Sequence, residues 1–228
     1  QGPTIKLFEA KLNKFFGSKY CTVVNSGTAA LHIAGVSLGW DEDSTIITTP
    51  LTFVATANAV EFSRSKLELA DIKSDGTIDP TSVEKIINRY KLKKKEITAV
   101  IGVDYYGNTC DWEALNKLRK KNKFKLINDN CHALGSIYKK TEKYAIKYAD
   151  IVTQSFHPVK NITTGEGGCL ITNNLDLKKK FDILRTHGFV KKKNSFASLS
   201  SEMKYLGFNY RMTDLSCALG ISQLKKIK

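Results

Sequence analysis

No stretch of the chain reaches the roughly 18 consecutive apolar residues that a membrane-spanning helix needs, so no span and no membrane partner are expected. The first residues lack a charged segment followed by an apolar one, and nothing in them points to secretion. Five cysteines, at 21, 110, 131, 169 and 217, include no C-x-x-C pair, and the four histidines are scattered. That set argues for free thiols in a reducing compartment, the cytoplasm, and offers no metal site. Internal repeats and low-complexity segments are also missing. Arginine is scarce: only positions 64, 89, 119, 185 and 211 carry it, although the net charge is +14. The lysine runs at 93–95, 120–121, 139–140, 178–180 and 191–193 are dispersed. Nucleic-acid recognition concentrates basic residues on one face and favours arginine at base edges, so no nucleic-acid partner is expected.

What is present suits an α/β protein. With 228 residues, 42% hydrophobic and 25% charged, the chain can bury one substantial core. Apolar runs rich in Val, Ile and Leu predict strands at 20–25, 44–49, 66–71, 97–104, 124–128, 149–155 and 168–173. Helices are predicted near 28–38, 53–62, 80–91, 111–122, 175–186 and 213–227. This alternation predicts a mostly parallel sheet with helices on both faces. Residues 188–205, polar and lysine-rich, read as a long excursion, either an active-site flap or a dimer arm.

One lysine stands apart from the charged surroundings of the others. Lys160 follows the apolar run Ala149–Phe156 and precedes a glycine-containing turn, Thr163 through Gly168, that leads into the strand Cys169–Thr172. A lysine desolvated there has a lowered pKa and can form a Schiff base with an aldehyde. A surface lysine in a glycine-rich hairpin is the competing reading. An aldehyde cofactor with a ring nitrogen and a phosphate, pyridoxal phosphate, requires further partners, and candidates for them exist. Asp129 ends the strand 124–128, where α/β sheets place ligands, and suits a protonated ring nitrogen; a helix cap or turn residue is its other reading. Ser26, Gly27 and Thr28 lie between a strand and a helix, where free N–H groups and hydroxyls suit an anion, or serve as an ordinary cap. Phe53 can stack on a ring or belong to the core, and Ser155 can add a phosphate hydroxyl.

Taken together, several segments carry a resemblance. They are Gln1-Gly2-Pro3 with Phe8-Glu9, Asn25 through Leu31, Thr49 through Thr56, Asp129 through Gly135, Ser155 through Gly168, and Gly207 through Asp214. In that order over nearly the whole chain, they resemble the large domain of the DegT/DnrJ-type sugar aminotransferases. The resemblance implies the fold type I pyridoxal-phosphate transferase fold over residues 1–228, with Lys160 as the cofactor-bound lysine and Asp129 at the ring nitrogen. It also implies Gly27, Thr28 and Ser155 at the phosphate, Phe53 and His132 flanking the ring, and a homodimer in which Asn209 reaches the neighbouring subunit's phosphate. On residues alone, Asn209 is equally a turn asparagine.

Within the family, residues 47–58, 74–79 and 131–136 resemble the branch serving pseudaminic acid synthesis. That branch implies amination at carbon 4 of a UDP-linked 4-keto-6-deoxy-N-acetyl sugar, with glutamate as donor. Asn128 stands where much of the family has Glu. Family members are longer, so the resemblance implies a chain shortened at both ends and lacking the small C-terminal domain. Two other outcomes share the fold: a dTDP-linked 3-keto sugar as substrate, and a dehydratase, which carries histidine in place of the lysine.

Overall fold

The computed structural model describes residues 2–191 and 201–227. The strands of the main sheet are β1 (Tyr20–Val24), β2 (Thr45–Thr48), β3 (Lys66–Leu69), β4 (Ala99–Val103), β5 (Lys125–Asp129), β6 (Ile151–Ser155) and β7 (Gly168–Thr172). They lie in the order β1-β7-β6-β5-β4-β2-β3. β7 runs antiparallel to both its neighbours, and the remaining pairs are parallel. The helices are α1 (Pro3–Phe16), α2 (Gly27–Leu38), α3 (Ala55–Glu61), α4 (Pro80–Leu92), α5 (Trp112–Asn122), α6 (Ala145–Tyr148), α7 (Leu175–Leu184) and α8 (Asp214–Leu224). The predicted strands and helices are thus found, with ends shifted by a few residues.

Alternation along the central strands sorts the core into two layers. Ile101, Ile127, Ile151 and Leu170 meet Ala30 and Ile33 of α2 and Phe181 of α7 on one face. Val100, Leu126, Val152 and Ile171 meet Phe8 and Leu12 of α1 and Trp112 and Leu115 of α5 on the other. Burial on both sides explains why these strands read as continuous apolar runs. Helix starts are fixed locally: Ser26 accepts from the Ala29 amide, Asp79 from Thr81, Asp111 from Ala114, and Asn174 from Asp176 and Leu177.

Helix α1 was not among the predicted helices. Pro3 at its first turn and the buried Ile5, Phe8, Leu12 and Phe16 give it a helical apolar stripe. Gly2 at the cap position has no side chain to offer, so the cap comes from far along the chain. Asp214 accepts from the Gly2 amide at 2.7 Å and the Thr4 amide at 3.1 Å. These amides hold its carboxyl below the usual aspartate range. The excursion begins and ends as a two-stranded antiparallel hairpin, β8 (Phe189–Lys191) with β9 (Ser201–Met203). The flap or arm expected over 188–205 falls in part on 192–200, outside the described residues.

A buried ion pair joins α1, the edge strand and α7. Arg185 donates to Glu9 at 2.7 Å and to the Val23 carbonyl at 2.8 Å, while Glu9 also accepts from the Val23 amide at 3.0 Å. The two side chains are 9% and 12% exposed. Removing Glu9 leaves the buried Arg185 with Asp182 at 3.2 Å and the Val23 carbonyl as its remaining partners, so Glu9→Ala is expected to lower the free energy of unfolding by about 2 kcal/mol in urea titrations.

Candidate active site at the carboxyl ends of the strands

A cavity of about 540 Å³ opens beside the carboxyl ends of β4, β5 and β6 and the start of α2. Lys160, Asp129, Ser26, Gly27, Thr28, Phe53, His132 and Ser155 all line it. Asn209 does not. It is exposed, bridges to Thr186, and its carbonyl accepts from the Asn25 side chain at 3.3 Å.

The α2 end of the cavity depends on close backbone contact. A Cβ on Gly27 would lie 2.8 Å from the Cβ of Ser155, and one on Gly168 would lie 2.4 Å from the Ser26 carbonyl oxygen. Glycine at both places lets the Ser26–Thr28 turn sit against the ends of β6 and β7. The Ser26 hydroxyl satisfies the Ala29 amide at 3.0 Å. The amides of Gly27 and Thr28 head the helix and have no intrahelical acceptor.

Asp129, last in β5, is 4% exposed. Its Oδ2 accepts from the Thr56 hydroxyl at 2.7 Å and its Oδ1 from the Cys131 amide at 3.3 Å. Thr56 in turn shares a 2.8 Å hydrogen bond with Thr52. Among the described residues no lysine or arginine pairs with this carboxylate. Burial and the adjacent Asp129 push the Cys131 thiol well above its ordinary range.

Lys160 stands in the turn between β6 and β7, its amide donating to the His157 carbonyl at 2.9 Å. It is half-buried in the cavity wall rather than fully desolvated. It is the only lysine lining the cavity among the described residues. His132 has its pKa lowered by burial and then by the charge of Lys160. Its Nδ1 accepts a long 3.5 Å hydrogen bond from the Tyr106 amide, which leaves Nε2 to carry the proton of the neutral ring. Phe53 is 64% exposed at the rim, which excludes a core role.

Sequence reading missed Thr56, Thr52 and the Tyr105–Tyr106 pair. The four-residue spacing of the two threonines was a usable signal, since it stacks hydroxyls on one side of a helix start. Tyr106 carried no comparable signal. Its left-handed backbone (φ 49°) is unusual for an aromatic residue, and it brings the rings of Tyr105 and Tyr106 each to 5.7 Å from that of His132.

The chain is similar to known proteins over its whole length. It is 46% identical to a UDP-4-amino-4,6-dideoxy-N-acetyl-beta-L-altrosamine transaminase of Campylobacter jejuni, over 99% of this chain and 57% of that one. It therefore spans little more than half the length of the curated relatives it matches. Among solved structures, Helicobacter pylori PseC, an aminotransferase involved in the biosynthesis of pseudoaminic acid, superimposes with a TM-score of 0.89 at 39% identity, covering 100% of this chain and 58% of that one. Bacillus subtilis NtdA with bound cofactor PMP superimposes with a TM-score of 0.85 at 30% identity, covering 100% of this chain and 49% of that one. The fold is the α/β fold of these aminotransferases. With residues 1–228 all matched, the chain belongs to the DegT/DnrJ/EryC1/StrS aminotransferase family.

Proposed function

We propose that the cavity holds pyridoxal phosphate and that the chain is the cofactor-binding part of a nucleotide-sugar aminotransferase. One observation carries this reading: a lysine, a buried carboxylate without a cation, and a hydroxyl-lined helix start face a single space. The residues fit the group. Asp129 is buried and hydrogen-bonded but lacks a positive partner among the described residues, and a protonated ring nitrogen supplies one. The free amides of Gly27 and Thr28, with the hydroxyls of Ser26, Thr28 and Ser155, suit a phosphate.

When bound, the cofactor would supply an aldehyde carbon to carry an amino group from an amino acid to a ketone and an electron-withdrawing ring to stabilise the charge that builds up on the way. Asp129 keeps the proton on the ring nitrogen. Thr56 and the Cys131 amide fix both carboxylate oxygens, so that the charge points in one direction. Lys160 Nζ would move a proton between the substrate carbon and the cofactor's aldehyde carbon, acting as base and acid in turn. Neutral His132 and Phe53 flank the ring and keep water from it. Asn209, outside its own cavity, serves the phosphate of a neighbouring subunit in a homodimer.

For the substrate, the likeness to the Campylobacter transaminase supports the 4-keto carbon of a UDP-linked 4-keto-6-deoxy-N-acetylhexose, with glutamate as donor. The likeness to PseC supports a place in surface polysaccharide or nonulosonic acid synthesis. The retained Lys160 favours transamination over dehydration. All five cysteines are free, which supports a cytoplasmic setting.

Three outcomes test the reading. Borohydride treatment in the presence of pyridoxal phosphate is expected to label Lys160 in the native chain and to leave Lys160→Ala unlabelled, by peptide mass spectrometry. Gly27→Ala forces Ser155 away and is expected to weaken cofactor retention roughly tenfold in spectroscopic titration. Finally, Lys160→Ala and Asn209→Ala full-length proteins, each inactive, are expected to regain activity when mixed. In the mixed dimer one site then carries both lesions and the other neither. No recovery despite demonstrated subunit exchange assigns Asn209 to its own subunit.

A further inference from the structure

Directly behind the cavity, on the opposite face of the sheet, lies a second buried carboxylate. Asp104 follows β4, is 0% exposed, and forms no ion pair among the described residues. Every group around it donates. Its Oδ1 accepts from the Cys110 amide at 2.8 Å and from Trp112 Nε1 at 3.0 Å. Its Oδ2 accepts from Asn130 Nδ2 at 3.0 Å and from the Tyr144 hydroxyl at 2.7 Å.

A carboxylate can only accept, so it dictates how its neighbours are turned. Asn130 must present Nδ2 to Asp104, which turns its Oδ1 to Gln154, and Gln154 Nε2 donates to it at 2.6 Å. Gln154 Oε1 is then left buried without a partner. The chain therefore has a direction, set at one end by Asp104. Its members sit next to the cavity residues in sequence: Asn130 lies between Asp129 and Cys131, and Gln154 precedes Ser155. Alternation sends Asp129 and Ser155 to one face and Asn130 and Gln154 to the other.

We propose that Asp104 is a positioning residue for the cavity. From the reverse face its carboxylate orders the Asn130–Gln154 chain, and through that chain it holds the ends of β5 and β6 that carry Asp129 and Ser155. The proposal rests on the cavity being the cofactor site. Protonation of Asp104 places a donor among donors. Relief comes if Asn130 turns over to accept and Gln154 turns with it, so that Gln154 Oε1 receives Asn130 Nδ2. The strand ends then lose their fixed register with the cavity.

The charge balance gives this a signature that ordinary structural support lacks. Burial pushes the Asp104 carboxyl up to about 6, against the pull of the Cys110 amide and the Tyr144 and Asn130 side chains. The other groups facing it are Asn128 of β5 and the Cys110 thiol, itself pushed well up by burial; Lys73 lies near that thiol. Because the folded value is raised above the unfolded one, this group makes the fold more stable as pH falls from 7 to 5, with the gain complete only below the unfolded value. The site should loosen over the same interval. The contribution of Asp104 to global stability and the order of the site therefore move in opposite directions, while His32 and His132, whose pKa values burial lowers, take stability away over the same interval.

The test uses amide hydrogen exchange, corrected for intrinsic rate, at residues 129–131 and 154–155 of the full protein without cofactor, together with pyridoxal phosphate retention in the holoenzyme. The wild type is expected to lose protection and cofactor in one step near pH 6 while its melting temperature falls less from pH 7 to 5 than that of Asp104→Asn. Asp104→Asn, which can satisfy the reversed chain, is expected to fold, to lose about tenfold in retention, and to show no step. Tyr144→Phe removes a hydrogen bond that lowers the carboxyl and is expected to move the step up by roughly one pH unit. Wild-type protection and an unchanged step in Asp104→Asn would overturn the proposal, as would an unmoved step in Tyr144→Phe should Asp104→Asn fail to fold. If the cavity takes no pyridoxal phosphate, the proposed function falls, and the exchange step in the cofactor-free protein still decides the role of Asp104.

Discussion

The contact between the Ser26–Thr28 turn and the ends of β6 and β7 is the constraint on which the cavity depends. Two missing side chains make it possible, those of Gly27 and Gly168, since a Cβ at either would meet Ser155 or the Ser26 carbonyl. With the turn seated there, α2 begins against the sheet and its unpaired amides face the same space as Asp129 and Lys160. Helix start, strand end and Lys160 thus meet because two backbones approach more closely than side chains would permit. The reversed strand β7 contributes as well. It returns the chain after Lys160 alongside β6, so that the lysine lies on the loop joining two neighbouring antiparallel strands.

The carboxyl ends of β4, β5 and β6 carry an unusual load of buried polar groups, with Asp129 on one face and Asp104, Asn130 and Gln154 on the other. A buried carboxylate is tolerated where hydrogen-bond donors or an opposite charge take the place of water. Asp104 meets the first condition with donors from three separate elements, among them the short turn Glu142–Tyr144. Asp129 meets it with fewer, Thr56 and one amide, and keeps an open side toward the cavity. The difference between the two aspartates is thus one of completeness: one shell is closed by protein donors, and the other stays open toward the cavity.

Chain ends are joined into the same body by long-range polar contacts. Asp214 caps α1 in place of a local residue, and Glu9 of α1 is clamped between Arg185 and the edge strand. These contacts place α8 beside α1, and the segment holding Asn209 runs past Asn25 at the turn before α2.

Much of this organisation was legible in the amino-acid order, for a physical reason: apolar runs, caps and glycines act over a few residues. The strands, most helices, and the set of Lys160, Asp129, Ser26–Thr28 and Ser155 follow from such local signals. Helix α1 was legible too, from Pro3 and the stripe of Ile5, Phe8, Leu12 and Phe16, and only its cap at Asp214 lies beyond the reach of a local pattern. The Thr56–Asp129 bond and the Asp104 chain went unread for the same reason, since each is made across neighbouring strands or elements whose register only packing sets. The sequence by itself determined which residue types could bind an aldehyde, an anion and a ring. The tertiary structure alone decided that they share one cavity, because the distance between Lys160, Asp129 and Gly27 depends on sheet order and close packing, which no single segment contains.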